Sequence, residues 1–411
     1  MSTNEPADGR SLLGAGAPPS TTDKTAPVVD QANAPVVDQA SASERVETRA
    51  ETRVDHSAEE ANAPVDERSP LGAGAPPSTT GRTVLVTGAS GMLGGAVARL
   101  LLEQGHRVRT FQRRPADIGP GSETVLGSLT EPDAVARAVQ GVHAVIHLAA
   151  KVSFTGEWSE FVATNIDGTR TLLAAAKSAG ARDVVFVSSP SVAHFGEAIA
   201  GAGAGTADPE RAHGNYARSK AAAELLALAE DSPGFRVAAI RPHVVWGPGD
   251  TQLVERVVAR ARDGRLPLLD NGAALIDTTY IDNAAAAIVR ALERMDQAHG
   301  QALVVTNGQP RPVGELIAGI CDAAGVRAPG WSVPGWLARG AGAAIERAWT
   351  AAGKRGLVTD EPPMTKFLAE QLSTAHWFDQ RRTREVLDWT PDVSIEDGLR
   401  RLAAHYRPTA S

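Results

Sequence analysis

The chain contains a single cysteine, Cys321, among its 411 residues. This excludes an internal disulfide framework and a metal site built on cysteines, and it is the cysteine usage expected of a reducing compartment. No apolar run reaches the roughly 18 residues of a membrane-spanning helix. The N-terminus also lacks a basic start followed by an apolar segment, so we expect no secretory signal. Together these absences predict a cytoplasmic protein.

Residues 1–80 lack Ile, Phe, Tyr, Trp and Cys altogether. The segment is rich in Ala, Pro, Ser and Thr, and SLLGAGAPPSTT at 11–22 returns with one change at 69–80. Such a composition cannot bury enough apolar surface to offset the entropy lost on ordering the chain. We predict a disordered low-complexity tail without a catalytic role. An interaction tail and a translation start further along the chain are the alternatives.

The net charge of −7 also lies in this tail, which carries 13 acidic and 6 basic residues, whereas the rest of the chain has 35 of each. The part of the chain expected to fold is therefore neutral overall. It lacks the basic excess of nucleic-acid-binding proteins, so we expect no nucleic-acid partner.

A glycine-rich stretch follows the tail. Residues 84–86 form a short apolar run typical of a buried parallel strand, and apolar residues at helical spacing follow from Ala96. Between them lie Gly88, Gly91 and Gly94 in G-x-x-G-x-x-G spacing. Glycines at such a turn permit a tight bend, let backbone N–H groups approach a pyrophosphate, and let helix and strand pack closely. The helix N-terminus would add partial positive charge, so we predict a dinucleotide-binding turn.

Strands and helices alternate from residue 81 to about residue 245. The predicted strands lie at 108–111, 124–126, 144–148, 183–187 and 236–240, and the predicted helices between them at 134–139, 169–179 and 217–229. This alternation predicts an α/β fold with a doubly wound, Rossmann-type parallel sheet. We expect residues 81–245 to form the dinucleotide-binding domain. Residues 246–411 would form mainly a smaller C-terminal substrate-binding lobe over the ends of the strands, where ligands bind in such sheets.

The pattern Y-x-x-x-K occurs at Tyr216 and Lys220. Residues four apart on a helix share a face, and a cation beside a phenol stabilises the phenolate and so lowers the phenol pKa. The pair is therefore a candidate proton donor. Ser188 and Ser189 follow the predicted strand at 183–187. They would face the same crevice, where a hydroxyl can hydrogen-bond a substrate carbonyl.

Over about residues 82–410 the chain resembles the extended short-chain dehydrogenase/reductases. The motifs that carry this resemblance, in the family's order, are T-G-x-x-G-x-x-G from Thr87, H-L-A-A at 147–150, N-x-x-G-T at 165–169, the serine pair, Y-x-x-x-K, and R-P-x-x-x-x-G-P-G at 241–249. Within that superfamily the chain is most similar to the 3β-hydroxysteroid dehydrogenase-like branch. Its stretches at 241–250 and 361–378 further resemble the bacterial 2-alkyl-3-oxoalkanoate reductases.

The resemblance implies an NAD(P)-dependent oxidoreductase that moves hydride between the nicotinamide and a 3-oxo or 3-hydroxy carbon. Tyr216 would donate the proton, Lys220 would lower its pKa and bind the nicotinamide ribose, and Ser189 would hold the carbonyl. Ser188 would support Ser189, and Asn165 would hold the active-site helix or a water relay. The residues implied to line the cofactor are Gly88, Ser90, Gly91, Met92, Leu93, Gly94, Leu148, Ala149, Ala150 and Pro242.

The chain departs from the family pattern at two places. Relatives that use NAD commonly end the second strand on a carboxylate that bonds the ribose 2′-OH, but here Gln112 is followed by Arg113 and Arg114. Two guanidiniums without a carboxylate suit a 2′-phosphate, which favours NADP(H). The alternative is that the protein uses NAD(H) and that the two arginines only form a solvated basic turn. The second departure is Ser128, where relatives often place an Asp near the adenine.

The second half of the chain would offer an apolar pocket, and His243 and Trp246 would line it beside the sixth strand. The other candidates are Trp331, Val333, Trp336, Leu337, Ile345, Trp349, Phe367, Leu368 and Trp377, for which a plain core role is the alternative. Residues 331–349 could be a lid or core helix or make a peripheral membrane contact. No histidine has metal-ligand spacing, so we expect no metal site. A homodimer is left open.

An apolar pocket fits a long acyl chain or a sterol, so reduction of a 2-alkyl-3-oxoalkanoate is the favoured reaction, and 3β-hydroxysteroid oxidation is the first alternative. A keto acid needs a cation near its carboxylate, while a sterol needs none. A nucleotide-sugar epimerase or dehydratase and a non-catalytic dinucleotide-sensing regulator are the further alternatives.

Overall fold

The computed structural model describes residues 81–153, 156–353 and 366–407. The predicted tail at 1–80 lies outside the described residues, as do residues 361–365 of the stretch at 361–378 and the side chains of Phe367 and Leu368. The strands are β1 (Thr83–Thr87), β2 (Arg107–Gln112), β3 (Ser122–Leu126), β4 (Ala144–His147), β5 (Asp183–Val187), β6 (Ile199–Ala202), β7 (Arg236–Pro242), β8 (Val245–Trp246), β9 (Leu268–Leu269), β10 (Leu275–Ile276), β11 (Thr279–Tyr280), β12 (Ala302–Val305), β13 (Arg311–Pro312), β14 (Ser332–Val333) and β15 (His376–Phe378). The α-helices are α1 (Met92–Glu103), α2 (Pro132–Val139), α3 (Trp158–Phe161), α4 (Gly168–Ser178), α5 (Gly214–Ala229), α6 (Val254–Arg262), α7 (Ile281–Glu293), α8 (Met295–Ala298), α9 (Val313–Ala323), α10 (Gly335–Gly353), α11 (Lys366–Ser373), α12 (Arg381–Leu387) and α13 (Ile395–Tyr406).

Seven parallel strands form the large sheet in the order β12-β7-β5-β4-β1-β2-β3. This confirms the predicted doubly wound sheet. The strand order reverses between β1 and β4, and in such sheets that reversal opens a crevice at the carboxyl ends of the strands. Three segments lie at this edge of the sheet: the glycine turn after β1, the residues after β4 and the serines after β5.

The sheet is buried on both faces, which explains the continuous apolar strands. Val84 and Val86 point into one layer, with α1 and α7, while Leu85 points into the other, with α2, α4 and α5. All three side chains are fully buried. Burial of one such side chain contributes about 1.5–3 kcal/mol, so the alternation along β1 fixes which helix covers which face.

A smaller lobe packs around a second core. Trp246, Tyr280 and side chains of α6, α9 and α13 form this core, and a four-stranded sheet lies in the order β13-β10-β15-β6. The sequence division at 245/246 is crossed in both directions, because β12 completes the large sheet while β6 joins the small one. Pairing of Val305 with Pro242 also extends β7 two residues beyond the predicted end.

The helix α10 lies at the surface of this lobe. Near its start Trp336 is 69% exposed, and Trp331 and Leu337 are also exposed. No helix in the described ranges is both long enough and apolar enough to cross a bilayer.

Candidate functional site

The turn between β1 and α1 has the geometry of an anion cradle. Gly88 adopts φ +76°, and its N–H donates to the carbonyl of Phe111 at 2.9 Å. Gly91 is the N-cap of α1 and supplies no side-chain cap, and the first turn holds no acidic residue. The N–H groups of this turn are therefore not claimed by a capping side chain, and Ser90, Met92 and Leu93 are at least partly open to solvent. Such a helix end is suited to a phosphate.

Close packing explains two of the glycines. A Cβ on Gly94 would collide with the carbonyl oxygen of Gly88. A Cβ on Gly88 would lie 2.9 Å from the backbone nitrogen of Ala149. The turn thus touches both its own helix and the loop after β4, where Leu148, Ala149 and Ala150 are half-buried. The predicted cofactor-lining residues from β1 and β4 therefore come together.

A buried chain of hydrogen bonds joins this turn to the active-site helix. Thr87 Oγ1 accepts from the N–H of Ala149 (3.0 Å) and lies 2.7 Å from His147 Nδ1. His147 Nε2 lies 3.0 Å from Thr169 Oγ1, which donates to the carbonyl of Asn165 (2.6 Å). Thr169 must therefore accept from His147, which assigns the Nε2–H tautomer. Burial, with Lys220 nearby, lowers the pKa of His147 to about 3, so the ring is neutral.

Thr87 and Thr169 were not assigned roles from the sequence, although both lie within the quoted motifs. Their signal was available, because a threonine beside a glycine turn or one helical turn after an asparagine is a natural hydrogen-bond partner for a buried histidine. Only the pairing of β1 with β4 puts Thr87 opposite His147.

Asn165 lies in a π-helical turn, Val162–Asp167, and is 2% exposed. Its Nδ2 donates to the carbonyl of Lys151 (3.1 Å) and to Ser219 Oγ (2.9 Å), and its Oδ1 accepts from the N–H of Lys151 (2.7 Å). Ser219 in turn donates to the carbonyl of Tyr216 (2.9 Å). Both amide hydrogens are thus used to tie the loop after β4 to α5, as π-turns often do at functional sites.

Tyr216 lies in the first turn of α5 and is half-buried. Burial raises the pKa of Tyr216 to about 12, and a hydrogen bond from Ser189 opposes that rise. The phenol therefore carries its proton at neutral pH. Ser189 and Tyr216 therefore meet across the crevice.

Lys220 is buried one turn further along the same helix. Its Nζ donates to the carbonyl of Val187 (2.7 Å) and lies 4.0 Å from the centroid of the Phe186 ring. Burial lowers the pKa of Lys220 to about 7, while the charge of Glu224 raises it. The end of β5 thus fixes the ammonium beside Ser188 and Ser189.

The two serines differ in their hydrogen bonding. Ser189 is the N-cap of a short 3₁₀ helix, Pro190–Ala193, and its Oγ accepts from Ser191 Oγ (3.0 Å). Ser188 is 6% exposed, and its Oγ has no hydrogen-bond partner among the described residues. A buried hydroxyl without a partner costs free energy unless a ligand satisfies it.

The end of β2 places a buried glutamine before two exposed arginines. Gln112 is buried, its Nε2 donates to Thr110 Oγ1 (3.1 Å), and its Oε1 has no partner in the described part of the chain. Arg113 and Arg114 are exposed, and neither makes an ion pair with another described residue. The hydroxyl of Ser128 forms a hydrogen bond with Thr130 Oγ1 at 2.8 Å.

The predictions for the substrate side are partly wrong. Trp246 is fully buried, its Nε1 donates to Thr278 Oγ1 (2.9 Å), and it packs edge-on against Tyr280, so it belongs to the lobe core. Trp331, Trp336 and Leu337 lie on the surface instead of lining a closed pocket. The reason is tertiary, because indole spacing in the sequence does not reveal which face of a helix is covered.

His243 is buried and directly follows Pro242, the last residue of β7. Its Nδ1 lies 2.5 Å from the carbonyl of Asp277, and its ring is 5.0 Å from that of Phe378 on β15. Burial lowers the pKa of His243 to about 4. It therefore contacts the lobe as a neutral ring. In the described ranges, no group of three or more His, Cys, Asp or Glu could hold a metal ion.

A buried ion pair near the site was missed from the sequence. Arg241 donates to Glu224 through Nε (2.8 Å) and through a second guanidinium nitrogen (2.5 Å), and both side chains are 1% exposed. Arg241 also donates to the carbonyls of Ala204 and Gly205. The arginine belongs to the R-P motif, but its partner is on another element and could not be found from spacing.

Comparisons with known proteins agree with this geometry. Residues 84–306 match the model of the NAD dependent epimerase/dehydratase family. A 2-alkyl-3-oxoalkanoate reductase of Stenotrophomonas maltophilia is 40% identical over 78% of this chain and 98% of its own length. The reductase of the same name from Shewanella oneidensis is 36% identical over 78% of this chain and 85% of its own length.

More distant relatives share the same region. The mouse protein named sterol-4-alpha-carboxylate 3-dehydrogenase, decarboxylating, is 27% identical over 77% of this chain and 88% of its length. The crystal structure of gox2253 superposes with a TM-score of 0.65 at 25% identity, over 80% of this chain and 98% of that one.

Proposed function

The chain belongs to the NAD dependent epimerase/dehydratase family, and from that premise we propose that it is an NADPH-dependent reductase of 2-alkyl-3-oxoalkanoates. The observation that carries the proposal is the meeting of Tyr216, Ser189 and Lys220 at the carboxyl end of β5. Reduction of a ketone needs one proton donor and one group that holds the oxygen. The substrate class follows from the relatives of 40% and 36% identity.

When bound, the cofactor supplies the hydride. Tyr216 holds a proton at its phenol oxygen and delivers it to the ketone oxygen, and Ser189 donates a hydrogen bond to that oxygen. Ser188 Oγ, buried without a partner among the described residues, is a second group that the substrate would satisfy. Lys220 stabilises the tyrosinate left behind and binds the nicotinamide ribose. Asn165 holds α5 in place, since both of its amide hydrogens already bond Lys151 and Ser219.

Residues at the edge of the sheet would hold the dinucleotide. The N-terminus of α1 at Gly91, Met92 and Leu93 would carry the pyrophosphate, and Gly88, Ser90 and Gly94 shape the turn. The residues that would line the dinucleotide are Leu148, Ala149, Ala150 and Pro242. Arg113 and Arg114, free of ion-pair partners in the described ranges, would bind the 2′-phosphate of NADP(H). A nicotinamide dinucleotide is the cofactor of the family, and the preference for NADP(H) is part of this proposal.

Lys151 is the cation that we propose for the substrate carboxylate. It directly follows the cofactor-lining residues 147–150, and both its backbone N–H and its carbonyl bond Asn165. Its Nζ pairs with Glu160, which is largely exposed, at 3.2 Å. The same loop reaches α5, because Asn215 Nδ2 donates to the carbonyl of Gly156 (3.1 Å). A surface pair of this kind exchanges readily for a substrate carboxylate.

The cytoplasmic location stays a prediction, as do the homodimer and the division into a tail (1–80), a dinucleotide-binding domain (81–245) and a mainly substrate-binding lobe (246–411).

The exposed Trp331, Trp336 and Leu337 fit a peripheral membrane contact better than a closed substrate pocket. Sedimentation with phosphatidylglycerol vesicles tests this contact. Retention of vesicle binding in Trp336→Ser would argue against it.

The purified protein should be assayed by cofactor oxidation against a long-chain 2-alkyl-3-oxo acid, its methyl ester, a 3-ketosteroid and a UDP-sugar. We expect the enzyme to turn over the free acid and to prefer NADPH to NADH. The KM for the methyl ester should be higher than that for the free acid, and the Lys151→Met variant should have a higher KM for the free acid than the wild type. Turnover of the steroid alone would instead support the hydroxysteroid dehydrogenase alternative. Turnover of the UDP-sugar without net cofactor consumption would contradict the reductase assignment.

A further inference from the structure

The Arg241–Glu224 pair lies deeper than an ordinary ion pair. Both side chains are 1% exposed, and the guanidinium meets the carboxylate through two nitrogens. Removing two charges from water costs several kcal/mol per ion, so such a pair is often no more stabilising than an apolar pair of the same volume. Stability alone therefore gives little reason for this arrangement.

The position of Glu224 gives a better reason. It lies four residues after Lys220 on α5, on the same buried face of the helix. The ammonium of Lys220 is held on the β5 side by the carbonyl of Val187 and by the face of Phe186. Those are dipolar contacts, and neither supplies a full negative charge.

The other ionisable groups around Lys220 do not supply one either. On its own helix, Tyr216 carries its proton. On β4, His147 is a neutral ring fixed by Thr87 and Thr169. On β7, Arg241 is a cation and would disfavour the ammonium. On α4, Lys177 pairs with Glu230 at the far end of α5, in an exposed contact of 2.8 Å.

We propose that Glu224 is a positioning residue that keeps Lys220 in the charged form needed for proton transfer, with Arg241 fixing the direction of the Glu224 carboxylate through two hydrogen bonds. The three side chains form a buried array of alternating charge, Arg241–Glu224–Lys220. It runs from β7 through α5 to the end of β5. This inference deepens the proposed function and rests on it for its meaning in catalysis.

The array also links the site to a neighbouring loop. Arg241 donates to the carbonyls of Ala204 and Gly205, in the segment that follows β6 and leads toward Tyr216. The same guanidinium therefore fixes both the anion beside Lys220 and the backbone before the active-site helix.

The charges around Lys220 predict how its pKa should rank among the wild type and two variants. Burial lowers the pKa of Lys220 to about 7 even though the charge of Glu224 raises it, so the charge of Lys220 is sensitive to its neighbours near neutral pH. In Glu224→Gln the anion is lost and Arg241 remains, so the pKa of Lys220 should fall by about one pH unit or more. In the double variant Glu224→Gln/Arg241→Met both charges are gone, so the value should lie between wild type and the single variant.

A matched control lies at the C-terminal end of the same helix, where Glu230 is the C-cap residue. Glu230→Gln makes the same substitution in the exposed pair with Lys177, and it should leave the titration of Lys220 unchanged. If Glu224→Gln alone fails to fold because Arg241 is left unpaired, the double variant still tests the proposal, since the pKa of Lys220 should change in the same direction by a smaller amount.

The first measurement needs no substrate. The chain has three tyrosines, so ¹³Cζ-tyrosine NMR of the protein gives few resonances, and Tyr216 is assigned by its loss in Tyr216→Phe. Titration of Lys220 changes the field at Tyr216, and the midpoint of that change should fall in the order wild type, double variant, Glu224→Gln. A Tyr216 titration curve that is the same in wild type and in Glu224→Gln overturns the proposal.

The second measurement is the pH profile of kcat/KM for the oxo acid. The alkaline limb should move to lower pH in the same order, so that activity at a fixed pH above that limb falls about tenfold for each pH unit that the limb moves. Loss of thermal stability without movement of the limb would mean a purely structural role. If wild type turns over none of the oxo acids, the proposed function fails, while the NMR result still decides the role of Glu224.

Discussion

At the scale of single residues, burial acts in opposite directions on the two partners of the Y-x-x-x-K motif. It raises the pKa of Tyr216 to about 12 and lowers that of Lys220 to about 7, because a low-dielectric environment disfavours whichever form is charged. Near neutral pH the phenol therefore keeps the proton that a ketone reduction consumes. Lys220 is poised at the point where small changes of neighbouring charge alter its state.

Removing the phenol hydroxyl should abolish proton delivery while leaving the dinucleotide site intact. We expect Tyr216→Phe to lower kcat by about 10²–10⁴ with little change in the Kd for NADPH. Steady-state kinetics and a fluorescence titration of the cofactor measure the two quantities. Tyr406→Phe, on α13, is the matched control and should keep full activity. A Tyr216→Phe enzyme with normal kcat would show that another group donates the proton.

The pair Arg113 and Arg114 should select the cofactor. Charge-assisted hydrogen bonds contribute about 1.5–3 kcal/mol, so replacing both arginines by alanine should raise the Kd for NADPH by about 10–100-fold or more. The Kd for NADH should change less than about twofold, because NADH has no 2′-phosphate. Arg137→Ala, an exposed arginine on α2, is the control. An equal loss of both cofactors would contradict the assignment.

At the scale of secondary-structure elements, the site depends on how closely α1 approaches β1. The carbonyl of Gly88 occupies the space that any side chain at Gly94 would need, and Gly91 begins the helix without a side-chain cap. The approach brings the N–H groups of the first turn toward the crevice. The same elements tie down α5, through the hydrogen-bonded chain from Thr87 to Asn165.

Two glycines inside helices should respond to alanine with opposite signs. Gly94→Ala forces α1 away from β1, so we expect a loss of about 1–3 kcal/mol in the free energy of unfolding and a weaker Kd for NADPH. Gly340 on α10 has open space around it, so Gly340→Ala should stabilise by up to about 1 kcal/mol. Denaturant unfolding of both variants measures this contrast. A stable Gly94→Ala protein with unchanged cofactor affinity would refute the close-packing argument.

At the scale of the whole molecule, buried neutral histidines set the response to acid. Burial lowers the pKa of His147 and His376 to about 3 and of His243 to about 4, below the ordinary value of 6.5. The unfolded chain therefore binds more protons than the folded one once the pH falls below about 6.5. Asp277 opposes this trend, because burial raises its pKa to about 6 and it takes up a proton in the folded state.

The net effect is a loss of stability at acid pH. His147, His243 and His376 against Asp277 leave about two protons, or roughly 3 kcal/mol per pH unit between about pH 6 and pH 4. Burial also lowers the pKa of His106 and His194, which adds to the loss in the same direction. We expect the Tm to change little from these groups above about pH 6.5 and to fall steeply below it in thermal denaturation. His376→Gln should flatten the slope by about one proton, whereas His405→Gln, at an exposed position, should not. A Tm that stays constant down to pH 5 would contradict this balance.

The sequence by itself determined the features whose cause is local. The strand, glycine turn and first helix follow from short-range pattern, and the shared face of Tyr216 and Lys220 follows from helical spacing. The two-sided burial of the sheet follows from continuous apolar runs in the strands, and family motifs placed the serine pair and Asn165. These predictions needed only residues within one or two turns of each other, where backbone geometry fixes what can meet.

The tertiary structure decided everything that depends on distant partners. Trp246 lies in the core and Trp336 lies on the surface, although both are tryptophans with apolar neighbours in the sequence. The difference arises because tertiary packing covers Trp246 and leaves Trp336 open to solvent. Glu224 faces Arg241 only because α5 lies against β7, and β12 returns from the second half of the chain to finish the large sheet. Contacts between elements depend on strand order and helix packing, and one-dimensional spacing carries little information about either.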